Sequence, residues 1–337
     1  MVHYELRETG NPFRAEYLEG MQKLIEKRQA EADVARKGFD LELVQDPEGY
    51  RIRLAEMFGW PLTERFAGIP NVKKQFVAKD EEYSIYRVQL EVMPELWFYG
   101  VLFVKEDGKK RPFVLSQHGG LGTPELISSF YDGKTGNYNE MTNRILAKDV
   151  NVFAPQMLLW NVDTYGNKYD RAFIDGKLKM CGGSITALEL HCLMRSLDFF
   201  EKESYVEPER IGMVGMSYGG MYTMYLTALD TRIKSAVSCS FFGKHDSLPF
   251  VDWSYFGSSL TFMDAEMVML ARPRKIYLAM GDKDSLCTAS DSRLEFSRVQ
   301  EMYPDWQQWC DLTIFDGPHE FIKEDTLIDR MIEDLNG

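Results

Sequence analysis

Apolar positions near the start of the chain recur with the period of a helix. Phe13, Tyr17, Met21, Leu24 and Ile25 share one face, and their spacing predicts a long amphipathic helix running to Gly38, with Asn11 as its cap and Pro12 in its first turn. Asp46-Pro47 opens a second helix in the same way, with Leu54, Met57 and Phe58 on one face and Gly59-Trp60-Pro61 at its end. Residues 1–69 are therefore expected to form a helical extension packed on the domain that follows. An oligomer contact is the alternative use of such a face.

From Tyr83 the period changes to two. Tyr86, Val88, Leu90 and Val92 alternate, and a second apolar run covers 96–104, which together predict antiparallel strands. After a turn at Asp107-Gly108, a buried strand over 111–116 ends in His118-Gly119-Gly120-Leu121-Gly122. Helices and strands then alternate: helix 139–147, strand 150–154, helix 184–201, strand 211–215, helix 219–229, strand 233–242, strand 275–280, helix 290–302, strand 312–315 and a last helix from Phe321. This order predicts an α/β fold over residues 70–337, with a mostly parallel, doubly wound sheet covered by helices. The segment 243–271 exceeds an ordinary connection and carries Phe250, Trp253, Tyr255 and Phe256, as expected of a short lid-like insertion.

Composition narrows the function classes. Of 337 residues 45% are hydrophobic and 27% charged, as in a globular protein with a large core, and no apolar run has the length of a membrane span. A net charge of −13 disfavours nucleic acid as a partner. The charged N-terminal stretch lacks the apolar centre of a secretory signal, so a cytoplasmic location is expected. The five cysteines form no C-x-x-C and are expected to be reduced structural thiols rather than disulfides or metal ligands.

The chemistry concentrates at Gly215-Met216-Ser217-Tyr218-Gly219, where a short apolar strand turns into a helix. A serine between close glycines at such a turn is a nucleophile elbow, with its hydroxyl lifted above the sheet edge. It requires a base, and the chain has five histidines. His3 lies in the tail, His118 in the glycine loop and His191 on the apolar stripe of a helix. His245 precedes the candidate acids, the wrong order for this fold. His319, in the turn Gly317-Pro318-His319-Glu320, remains. The acid should leave the preceding strand, where Gly281-Asp282-Lys283-Asp284 offers two aspartates. Asp284 is the choice, with Asp282 as a turn-former that binds backbone amides. An oxyanion hole needs two backbone amides, one from Tyr218 and one from the glycine loop, at Gly120 or Leu121.

Together, Gly-Met-Ser-Tyr-Gly-Gly, the His-Gly-Gly loop, Gly-Asp-Lys-Asp and Gly-Pro-His-Glu-Phe resemble the α/β-hydrolase superfamily, in particular its acetyl xylan esterase and dienelactone hydrolase-like branch, over roughly residues 70 to 335. Dienelactone hydrolase itself carries a cysteine nucleophile where this chain has Ser217. The resemblance implies a Ser217-His319-Asp284 triad, a hole at Tyr218 and Gly120, and a serine esterase acting through an acyl-enzyme on small-molecule esters of acetyl type, without cofactor or metal.

Two other function classes stand beside it. A prolyl-oligopeptidase-like peptidase shares Gly-x-Ser-Tyr-Gly-Gly, but the roughly 110 residues before the core are too few for a propeller. A catalytically silent binding protein of the same fold is the other. Asp132-Gly133-Lys134-Thr135 lacks the first glycine of a phosphate loop, since Ser128 stands there. Trp160, Trp253, Tyr255 and Phe256 are the candidate substrate-binding residues and Tyr165 could line the same aromatic pocket, with core at the end of their strand as the alternative for Trp160 and Tyr165; Asp163 and Arg171 lie in a polar loop that is expected to be solvated, with substrate contact as the alternative. Partnership with a membrane is not expected, and the N-terminal helices are the candidate contact of a homo-oligomer.

Overall fold

A computed structural model describes residues 3–80, 82–131, 134–160, 168–245 and 250–337. The chain begins with α1 (Asn11–Gln45) and α2 (Pro47–Phe58). Three strands follow, β1 (Asn71–Lys79), β2 (Ser84–Met93) and β3 (Leu96–Val104), and then β4 (Arg111–Gln117). The crossover to β5 (Asn151–Pro155) holds α3 (Pro124–Ile127) and α4 (Met141–Leu146). Helices α5 (Arg171–Met180) and α6 (Ile185–Phe200) lead to β6 (Val206–Met216) and α7 (Tyr218–Leu229). The remainder is β7 (Ile233–Cys239), α8 (Asp264–Ala271), β8 (Lys275–Gly281), α9 (Ala289–Met302), β9 (Cys310–Phe315) and α10 (Thr326–Asn336).

The strands form one nine-stranded sheet in the order β1-β2-β3-β5-β4-β6-β7-β8-β9. Its first three pairings are antiparallel, and β5-β4-β6-β7-β8-β9 is parallel throughout. Apolar clusters fill both faces. One joins α2, α6, α7 and α8 to the sheet, the other is built on α4 and α10. Such a doubly covered parallel sheet gathers the loops after β4, β6, β7, β8 and β9 at its carboxyl edge.

Several expectations change in detail. Asn11 is not the cap: Gly10 takes that position without a side-chain bond, and Asn11 accepts a hydrogen bond from Arg14 instead. Helix α1 runs past Gly38 to Gln45, and only its end is covered, at Ala32, Arg36, Phe39, Asp40 and Leu43. Phe39 and Leu43 share the main core with Tyr50, Leu54 and Phe58 of α2. The apolar positions that announced α1 are exposed, Phe13 at 73% and Tyr17 at 72%. Strand β1 escaped the pattern because it is an edge strand with almost every side chain in solvent, so it shows no alternation.

The reverse holds for α8, whose eight residues are all buried, leaving no polar face to give it a period. The last helix begins at Thr326, five residues later than expected, because the chain around Phe321 is committed to Asn137 and Asn139.

Candidate active site

Ser217 sits between β6 and α7 with φ 59° and ψ −124°, a conformation costly for an L residue and imposed by its surroundings. Its amide donates to Cys239 O at 2.8 Å, which ties the turn to the end of β7. Glycine is obligatory on both sides: a Cβ on Gly215 would lie 2.2 Å from Gly219 O, and one on Gly219 2.2 Å from Gln117 O. The serine is 9% exposed, and as it precedes α7, the first amides of that helix have no intrahelical partner.

The loop after β4 runs directly against the serine, since a Cβ on Gly119 would lie 3.0 Å from Ser217 Cβ. Its amides are allotted unequally. Gly119 N donates to Tyr138 Oη at 3.0 Å and Gly122 N to Gly119 O at 3.0 Å, whereas the Gly120 amide donates to no described residue. His118 shapes this turn from below, with Nδ1 2.8 Å from Gly119 O and Nε2 accepting from Met157 N at 3.0 Å. Both ring nitrogens are used by the neutral imidazole, and burial pushes its pKa down to about 4.

Across the edge, His319 Nδ1 lies 2.7 Å from Asp284 Oδ2. The other oxygen of Asp284 accepts from the amides of Leu286 at 2.8 Å and Cys287 at 3.0 Å. Burial alone would raise this carboxyl, but the His319 hydrogen bond and the backbone amides outweigh it and hold the group below its ordinary range. Asp282 does different work: its Oδ1 accepts from Gly317 N at 3.1 Å and so fastens the turn that carries the histidine. His191 and His245 are engaged elsewhere. His191 meets Phe66 edge to face with centroids 4.5 Å apart, and His245 Nε2 lies 2.8 Å from Asp264.

A short turn that no sequence motif marks joins the two halves. From Gly136–Tyr138 and its neighbour, Tyr138 holds Gly119, Asn137 Nδ2 donates to His319 O at 3.1 Å, and Asn139 Nδ2 donates to Phe321 O at 2.6 Å. Gly136, Asn139 and Glu140 all take positive φ, a local sign of constraint there.

The candidate substrate residues divide. Trp160 is 40% exposed and lies over Gly120, where a Cβ would come 2.8 Å from its Cε3. Its ring meets Tyr218 edge to face at 5.2 Å. Trp253 packs 5.1 Å from Tyr218, and Phe250 lies 4.5 Å from Trp253 and 5.9 Å from Trp160. Tyr255 instead packs edge to face on Phe58 at 4.9 Å, in the core, and Phe256 is fully exposed, so neither joins this aromatic wall. Leu121 is 66% exposed at the loop tip. Tyr165 and Asp163 lie outside the described residues.

Arg171, expected in a solvated loop, is a buried hub. It donates to Asp252 at 2.7 Å, Glu189 at 2.9 Å, Leu158 O at 2.7 Å and Tyr222 Oη at 2.8 Å. Asp252 also accepts from Tyr218 Oη at 2.8 Å, so the ring after the nucleophile and the described part of the insertion share one ionic anchor. Burial alone would lower the guanidinium pKa, and Glu189, Tyr222 and Asp252 together drive it well above its ordinary value. Sequence reading missed this cluster because Arg171, Glu189, Tyr222 and Asp252 come from four separate segments with no common spacing. Among the described residues no three His, Cys, Asp or Glu side chains stand together as a metal site.

Comparison with known proteins bears on the family and the fold. Residues 128–327 match the dienelactone hydrolase family. YtaP of Bacillus subtilis (strain 168), which carries a provisional hydrolase name, is 31% identical over 121 residues, 34% of this chain and 40% of that protein's length. The glucuronoyl esterase from Solibacter usitatus superposes with a TM-score of 0.64 at 13% identity, over 86% of this chain and 92% of its own. Acetyl xylan esterase 1 from Thermoanaerobacterium sp. JW/SL YS485 gives 0.56 at 16% identity, over 86% and 93%. These likenesses establish the α/β-hydrolase fold, and the match over residues 128–327 places the chain in the dienelactone hydrolase family.

Proposed function

We propose that the protein is a serine carboxylesterase acting on small-molecule esters of acetyl type, with Ser217, His319 and Asp284 as its triad. The observation that carries the reading is the 2.7 Å contact of His319 Nδ1 with Asp284 at the sheet edge where Ser217 emerges. With Asp284 accepting a hydrogen bond from Nδ1–H, Nε2 is the basic nitrogen. It takes the Ser217 proton as Oγ attacks the ester carbonyl, and the anionic carboxylate stabilises the imidazolium that results.

The tetrahedral oxyanion is received by the amides of Tyr218 and Gly120, with Leu121 as the neighbouring donor candidate. The imidazolium then protonates the leaving alcohol and leaves an acyl-enzyme, which water attacks with His319 again as base. The half-exposed Trp160 and the rings of Tyr218, Phe250 and Trp253 supply an apolar wall for the acyl or alcohol group. The esterase names of the structural neighbours, on glucuronoyl and acetyl xylan substrates, agree with this class. No described helix is long and apolar enough to cross a membrane, and the five unpaired cysteines favour a reducing compartment such as the cytoplasm.

The test is a substrate panel run on the wild type and Ser217→Ala, from acetyl to octanoyl esters, acetylated sugars and prolyl amides. Ester turnover by the wild type, highest for short acyl groups and absent in the variant, is expected. Preference for prolyl amides, or no turnover of any ester by folded protein, would overturn the reading.

A further inference from the structure

Four rings beside Ser217 close on one another. Trp160 meets Tyr218 with centroids 5.2 Å apart, Tyr218 meets Trp253 at 5.1 Å, Trp253 meets Phe250 at 4.5 Å, and Phe250 returns to Trp160 at 5.9 Å. Tyr218 and Trp253 are fixed from behind. The Tyr218 hydroxyl donates to Asp252 at 2.8 Å, and Asp252, which precedes Trp253 in the same short turn, accepts from the buried Arg171 at 2.7 Å. Trp253 also packs on Phe241 at 5.4 Å. Moving either ring would pull on a buried ion pair, and separating such a pair strands a charge away from water.

Trp160 differs. It is 40% exposed where Tyr218 is 1% exposed, and its six-membered ring lies over Gly120. Its amide donates to Gly120 O at 2.8 Å, so the main chain as well as the indole ties it to the glycine loop.

Strand order separates this wall from the histidine. Across β5-β4-β6-β7-β8, Trp160 follows β5 and Gly120 follows β4, on one side of the β6 end that carries Ser217. Asp284, which holds His319, follows β8 on the other side. A tetrahedral intermediate on Ser217 has four corners. Oγ takes one, the oxyanion between the amides of Gly120 and Tyr218 a second, and the alcohol oxygen, which must face His319 to be protonated, a third. The acyl chain is left with the corner turned away from His319, towards the rings.

We infer, on the basis of the esterase reading, that the wall is the acyl side of the site and that Trp160 is the residue that limits acyl length. An acyl chain that outgrows the space beside Gly120 meets the indole, while Tyr218 and Trp253 behind it are held in place. The substrate class is thereby an ester of a short acid, whereas the alcohol, on the His319 side, is not selected by these rings.

Acyl length is read with para-nitrophenyl esters from acetyl to octanoyl, and the alcohol with ethyl, benzyl and naphthyl acetates, on the wild type, Trp160→Ala and Trp160→Phe. The wild type should favour acetyl over octanoyl. In Trp160→Ala the octanoyl-to-acetyl ratio of kcat/KM is expected to rise by about tenfold or more, and in Trp160→Phe by less, while the ratios among the acetates stay within about threefold. Each ratio is taken on one enzyme, so a uniform loss at the oxyanion hole cancels. Should Trp160→Ala fold poorly, Trp160→Phe, which keeps the main-chain bond and a smaller ring, carries the test. An acyl ratio unchanged in every folded variant, a wild type that favours octanoyl, or alcohol ratios that shift as far as the acyl ratio would overturn the inference and leave serine esterase chemistry standing. Absence of ester turnover by folded wild type overturns the esterase reading itself, and the inference with it.

Discussion

Asp282 and Asp284 stand two residues apart in one loop, and their surroundings give them separate tasks. Asp284 accepts from two amides with one oxygen and faces His319 with the other, whereas Asp282 holds the Gly317 amide. Asp284→Asn keeps an oxygen for the amides but can no longer hold the imidazole tautomer, and kcat for ester turnover is expected to fall by about 10⁴-fold. Asp282→Asn retains its acceptor and should change kcat less than about tenfold. Comparable losses in the two variants would contradict the assignment. Strand order and the small number of histidines make the pairing of His319 with an exit-loop aspartate legible in the chain itself. The partition between the aspartates is read from the turn at Gly281, and the structure adds its cause, the amides of Leu286 and Cys287 that hold Asp284 Oδ1.

The turn Gly136–Tyr138 is the element that couples the glycine loop to the histidine loop, and it illustrates what sequence patterns leave out. Strands β4 to β8 were legible because burial on both faces produces apolar runs between turn residues. Tyr138, Asn137 and Asn139 were not, since their partners are backbone groups of segments up to 182 positions away. Tyr138→Phe leaves the buried Gly119 amide without an acceptor. It is expected to cost about 1–3 kcal/mol of stability in denaturant unfolding and to lower kcat more than it raises KM, because the loop that bears Gly120 loses its anchor. Unchanged stability together with unchanged kcat would show that the turn has no part in placing the loop. The insertion was legible only as a long connection: its described portion is fixed through Asp252 and Arg171, contacts that no periodicity announces.

For the molecule as a whole, the fold follows from alternation along the chain, while its behaviour with pH follows from where three histidines were buried. Burial holds His118 and His191 down at about 4 from an ordinary 6.5, so both fold as neutral rings. A depressed folded pKa means stability that is complete above 6.5 and lost as pH falls towards 4, up to about 3 kcal/mol per group. For His245, burial opposes protonation but Asp264 outweighs it and raises the pKa, so its contribution is present below 6.5 and lost as pH rises through the folded value. Thermal unfolding should therefore show a midpoint that drops between pH 6.5 and 4, with a shallower drop in His118→Gln. A slope identical in that variant and the wild type would exclude His118 as a source.

What the chain does with its acyl group rests on one atom, Ser217 Oγ. Rapid quenching of the enzyme with a slowly hydrolysed short-chain ester, followed by peptide mass spectrometry, reads that atom directly. An acyl adduct on the Ser217 peptide, formed at the rate of the first turnover and missing from Ser217→Ala, is the predicted result. An adduct on another residue, or full ester turnover by Ser217→Ala, would contradict the account.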